Sequence, residues 1–266
     1  MVKRLLTSAL FAGFAVGLLV ALLQYSLVER LILVAEDYES GALVHFRGAG
    51  GGAAEADHGT QGHNDAAAMP EQTVGTETAA MDATEQPAAH EHHHGSDGDA
   101  SPFVRHGLTV LFAILTYSGF AMVMAAGYAL AEELGIRLTV RDGLLWGLAG
   151  FAAVQLAPAL GLEPELPGTP AADLSARQIW WFGTLVATAG GLALLAYGRG
   201  GPPKAAGLVL LVLPHAIGAP ELEHYAGIVP PELSSSFAAR SLGVGLIAWV
   251  TLGGLLASLW SRPEHA

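Results

Sequence analysis

Apolar residues in this chain arrive in blocks of about 20, and that spacing leaves few folds open. The blocks fall at 5–28, 106–131, 143–162, 178–197, 205–219 and 238–260. A hydrocarbon layer of ~30 Å takes about 20 helical residues to cross at 1.5 Å each, whereas a soluble helix breaks its apolar stripe with charge on every turn. Only 14% of residues are charged, and they cluster between the blocks. Backbone polar groups in hydrocarbon must be satisfied within their own segment, so the expected fold class is an all-α integral membrane protein with five to six transmembrane helices. The block at 205–219 is the shortest and contains Pro214 and His215, which leaves the count between five and six.

The first block opens with Lys3 and Arg4, a start shared by secretory signals. Its apolar run is longer than a signal core, and no small-x-small cleavage site precedes Glu29, so residues 1–28 are read as a retained transmembrane helix. Residues 29–105 change character, with Gly48, Gly50 to Gly52, many Ala, Asp, Glu and Thr, and seven histidines. Such a segment buries too little apolar surface to fold alone, and most of it is expected to be disordered. Only the stretch from Arg30 to Phe46 has enough Leu, Ile and Val to continue as structure. The remaining blocks make residues 106–262 a transmembrane bundle.

Orientation follows from the basic residues. A cytoplasmic N-terminus puts Lys3, Arg4, Arg137, Arg141, Arg199, Lys204 and Arg262 inside in short segments, and leaves Arg30, Arg47, Arg105, Arg177 and Arg240 on much longer outer ones. Residues 29–105 are then an extracytoplasmic loop. Of the 24 acids only Glu132, Glu133, Asp142 and Glu264 lie inside, so the outer face is strongly anionic and concentrates cations. A formal net charge of −12 also argues against nucleic acid as a partner.

The chain has no cysteine, which removes disulfides, thiolate metal sites and thiol nucleophiles. Imidazole and carboxylate remain, a ligand set suited to Co, Ni, Zn or Fe. The densest group is His90, His92, His93 and His94 around Glu91, with Asp97 and Asp99 beyond and His58 and His63 upstream. On a flexible tract these donors form an adaptive collector for a divalent metal; the plainer alternative is compositional drift in an unstructured loop. His215 beside Pro214 either lines a pathway or bonds a backbone carbonyl freed by the proline, and His224, after Glu221, is placed to join it at an outer vestibule. Glu165, Glu221 and Glu232 each follow a proline, so they either ring an entrance or stand as solvated loop acids. Gln155 is a pathway ligand or an interhelical hydrogen bond. Trp146, Trp180, Trp181, Trp249 and Trp260 fit an interfacial belt. With no phosphate loop and no Ser/His/Asp or HExxH pattern, neither an enzyme nor a resident cofactor is expected, and uphill transport would draw on an ion gradient or another subunit.

Two short phrases echo each other. Pro158-Ala159-Leu160-Gly161 leads to Pro164-Glu165-Leu166, and His215-Ala216-Ile217-Gly218 leads to Pro220-Glu221-Leu222, each followed by an Ala-Arg pair at Ala176-Arg177 and Ala239-Arg240. They are either a parallel repeat of the kind transporters use or a chance likeness of two proline-broken helix ends.

Taken together, several phrases resemble the CbtA family of predicted cobalt transporter subunits: Lys3-Arg4-Leu5-Leu6 with Gly13 and Gly17, Ala35-Glu36 with Tyr38-Glu39, the histidine-rich first loop, Gly143-Leu144-Leu145-Trp146-Gly147, Leu156-Ala157-Pro158, Pro164-Glu165-Leu166-Pro167-Gly168, and Arg177-Gln178 before Trp180-Trp181. The resemblance spans nearly the whole length, and the Gly-Leu-Leu-Trp-Gly and Pro-Glu-Leu-Pro-Gly phrases are its most specific parts. Two features depart from it: the blocks number up to six where the family has five spans, and Ser101-Pro102-Phe103 stands where a tryptophan is expected after the histidines. The resemblance implies cobalt uptake for corrinoid synthesis across the cytoplasmic membrane of a prokaryote, beside a small single-span histidine-bearing companion of the CbtB type. A membrane-anchored metal-binding or sensory protein is the reading from another class, and nickel the alternative cargo.

Overall fold

The computed structural model describes residues 2–44, 102–222 and 227–261, and all regular structure among them is helical. The expected disorder of the histidine tract, and His58, His63, His90, His92, His93, His94 and His224, lie outside the described residues. Helix α1 runs Val2–Leu27 and breaks at Val28 into α2, Glu29–Glu39, which realises the expected structured start of the loop. Helix α3, Pro102–Glu133, begins on a proline, where the missing N–H is no loss. It ends in a Schellman motif: Gly135 sits at φ +81°, its N–H reaches Glu132 O and that of Ile136 reaches Ala131 O.

Helix α4, Val140–Phe151, opens with a capping box between Thr139 and Asp142. It continues without a break through a π-helical turn at Ala152–Leu156 into α5, Ala157–Ala159. Helix α6, Leu174–Tyr197, is capped by Asp173. Helix α7, Gly201–Ile217, starts on two prolines and stops where Gly218 takes φ +89°. Helix α8, Pro231–Trp260, is 30 residues long.

Among the described residues four helices, α1, α3, α6 and α8, are long and apolar enough to cross a membrane, and α7 is a shorter apolar helix of 17 residues. Large apolar side chains such as Phe11, Phe112, Ile179 and Phe182 are exposed along them. Water would penalise that surface, whereas lipid covers it without cost. The chain is a multi-pass membrane protein.

Without a hydrophobic force between helices in lipid, close packing must hold the bundle, and small residues permit it. Helix α1 crosses α3 where Gly13 and Gly17 lie on the backbone of Ser118 and Ile114. Helix α4 crosses α8 where Gly143 and Gly147 meet Gly253 and the backbone of Trp249, and α6 crosses α7 where Gly191 meets Gly207. Helix α1 also packs on α8, so α1, α3, α4 and α8 share one core, with α6 leaning on it through the π-turn and α7 packed on α6.

Contacts at the helix tips show which ends lie together. At one end Arg4 pairs with Glu132 and stacks on Trp260, whose indole N–H donates to Glu132 at 2.8 Å. At the other, Arg105 pairs with Glu36, and Arg240 donates to Leu27 O at 2.9 Å. An interfacial belt does not account for every tryptophan: Trp249 and Trp260 are 4% and 2% exposed, because they fill the core instead.

Candidate functional site

The end of the bundle that carries α2 is built by loops, and the loops have specific turn chemistry. Leu166, Pro167, Gly168 and Thr169 make a turn with proline second, glycine third at φ +75°, and Thr169 N–H donating to Leu166 O, the signature of type II. Leu166 is 3% exposed, packed with Ala35 of α2 and Val229 ahead of α8. That anchor fixes the neighbouring Glu165, which takes a 2.7 Å ion pair from Arg177.

The two echoing phrases come together here. Gly161 abuts Ala219 and the Trp180 indole, and both phrases line an open vestibule of about 650 Å³. His215 and Glu221, expected as metal ligands, both lie in its wall, joined by Glu163 and Glu165. His215 occupies the last turn of α7, half-buried and edge-on to Trp180 at 6.1 Å between ring centres. Trp180 Nε1 donates to the carbonyl of Pro214 at 3.2 Å, which seats the indole beside His215 in the vestibule wall. Glu232 sits in the first turn of α8, outside the vestibule wall. Among the described residues no three His, Asp or Glu side chains come close enough to share one metal ion.

A second group at this end went unseen in the sequence. His106 Nδ1 lies 3.5 Å from Glu29, edge-on to Tyr25, beside the pair of Arg105 and Glu36. It stands where the chain emerges from the histidine-rich stretch into α3. Seventy-seven residues separate His106 from Glu29, and no local pattern predicts their contact.

Charge separates the two ends. Described acids at the vestibule end are Glu29, Glu36, Asp37, Glu39, Glu163, Glu165, Asp173, Glu221 and Glu232, against Arg30, Arg105, Arg177 and Arg240. The opposite end carries Lys3, Arg4, Arg137, Arg141, Arg199 and Lys204 against Glu132, Glu133 and Asp142. A cation is drawn to the first and repelled by the second. The family model described as probable cobalt transporter subunit (CbtA) matches residues 2–261.

The chain belongs to the CbtA family. No curated protein and no solved structure matches it. Membership in the CbtA family makes cobalt the cargo rather than a resident cofactor, and a subunit implies further subunits. For cargo, a vestibule that attracts an ion without caging it is the suitable chemistry, because an ion held by a full ligand set leaves slowly.

Proposed function

We propose that this chain is the membrane-embedded subunit of a divalent-cation importer with cobalt as its cargo. The histidine-rich segment collects the ion outside the cell, the acidic vestibule receives it, and the helical bundle passes it inward. The observation that carries this reading is the vestibule itself: His215, Glu163, Glu165 and Glu221 open at one end of a bundle whose family is that of a cobalt transporter subunit. His58, His63, His90, His92, His93 and His94 supply the collecting imidazoles, and His224 is a further candidate ligand for the cargo.

Six crossings suit the antiparallel packing best. The run from 140 to 159 is 20 residues, and α7 at 17 residues is at the short end of the range that spans hydrocarbon. Both termini then lie in the cytoplasm, by the basic residues at that end. The protein belongs in the cytoplasmic membrane of a prokaryote, beside a single-span histidine-bearing companion of the CbtB type.

The native chain has no cysteine, so single cysteines report sidedness cleanly. In intact cells, Gly62→Cys is expected to react with a membrane-impermeant maleimide, and Lys204→Cys only after lysis. The reverse pattern would place the histidines inside and end the collecting role.

A further inference from the structure

Behind the vestibule lies a second cavity of about 280 Å³, and Leu162 lines both. Its polar lining comes from four parts of the bundle: Gln24 of α1, Tyr117 of α3, Gln155 of the π-turn and Ser241 of α8. Neither a carboxylate nor a basic side chain lines it. The volume holds several waters, at about 30 Å³ each in the liquid.

Gln155 is placed there by two features that packing alone does not require. Its Oε1 is buried with no hydrogen-bond partner among the described residues, so it is not serving as an interhelical hydrogen bond. Room for the carboxamide exists only because residue 245 is glycine: a methyl group on Gly245 would overlap Oε1. The backbone around it is opened as well. The π-turn carries the Ala157 N–H back to Ala152 O, and Pro158 has no N–H to offer the carbonyls of Ala153 and Val154, five and four residues before it. In a membrane span such irregular backbone is tolerated where it faces a hydrated cavity. Arg240 bonds Leu27 O and puts a positive charge between α1 and α8, whereas the wall shared through Leu162 faces the acidic vestibule.

We propose that this cavity is an inner station for the transported divalent cation, where Gln155, with Gln24, Ser241 and the Tyr117 hydroxyl, binds the ion while it keeps part of its water shell. The proposal rests on the importer reading. Neutral oxygens suit a passing ion: the acids of the vestibule attract it, and uncharged ligands then hold it weakly enough to let it go. Leu162 is the residue that the two stations share.

Two measurements on the full-length chain test this. Ser241→Cys in the otherwise cysteine-free protein is expected to react with a hydrophilic methanethiosulfonate, and cobalt is expected to slow that reaction. Gln155→Leu is expected to lower cobalt flux into proteoliposomes by about tenfold or more, the scale on which loss of a ligand-supporting group weakens metal sites. Flux at the wild-type rate in Gln155→Leu, or labelling of Ser241→Cys that cobalt leaves unchanged, would overturn the inner station and leave the importer reading standing. Absence of flux in the wild type both with and without the single-span companion would instead overturn the importer reading, while the cysteine still reports whether cobalt enters. Should Gln155→Leu fail to fold, protection of Ser241→Cys decides alone.

Discussion

Replacing Gly147 with leucine is expected to abolish recovery of a folded bundle. A Cβ at that position already overlaps the backbone carbonyl of Trp249 and comes within 3.0 Å of Val250 Cα. The obstacle is main chain, so no side-chain rotation relieves it. The facing Gly253 is equally confined by the backbone of Gly143 and Gly147. Inserting bulk into a packed core costs about 1–3 kcal/mol when side chains give way, and more when helices must separate. Here separation removes the α4–α8 seam on which the shared core depends. Gly183, with open space around its Cα, is the control, and Gly183→Leu is expected to behave as wild type. Monodispersity after detergent extraction and the thermal unfolding midpoint read the difference.

Changing the six tract histidines, His58, His63, His90, His92, His93 and His94, to asparagine is expected to raise the cobalt concentration for half-maximal cellular uptake by about tenfold. Local enrichment of an ion by a charged or ligating surface accelerates its arrival by factors of 10 or more and does not act on later steps. The maximal rate at saturating cobalt should therefore be preserved. A collector and a conduit differ in this respect: the first sets how scarce the ion is allowed to be, the second how fast it passes. Unchanged half-saturation in the sixfold variant would remove the collecting role and leave the bundle's function intact.

Much of the architecture was legible because hydrocarbon imposes a length. The apolar blocks at 5–28, 106–131, 178–197 and 238–260 each lie largely within a helix long enough to cross. Helix ends shifted by a few residues where caps decide: α4 begins at Val140 because Thr139 and Asp142 close a capping box, and α8 begins at Pro231 because a proline pair starts it. The phrase Leu166-Pro167-Gly168 stood out only as part of the resemblance, and neither its type II turn nor the anchoring of Glu165 was read from it.

The site was legible only in part. His215 and Glu221 share a wall because two phrases from different loops converge, and the echo between them was the one sequence signal of that convergence. His106 beside Glu29 gave none, since contact across 77 residues leaves no periodic trace. Gln155 read more readily as an interhelical bond than as a pathway ligand, and its oxygen's lack of a partner among the described residues, together with Gly245 opposite, argues for the second. Trp249 and Trp260 misled in the other direction. Trp260 at a block end fitted an interface and Trp249 at mid-block was grouped with it, but ring contacts with Tyr128 and Phe120 draw them inside.

The central claim is that this chain moves a divalent cation rather than storing or sensing it. Purified chain, with and without its single-span companion, reconstituted in proteoliposomes with external radiocobalt and an imposed ion gradient, tests that claim most directly. Cobalt is expected to accumulate inside the vesicles in at least one of the two preparations. Cobalt bound to the protein but absent from the lumen in both would contradict it, and would make the chain a membrane-anchored metal binder.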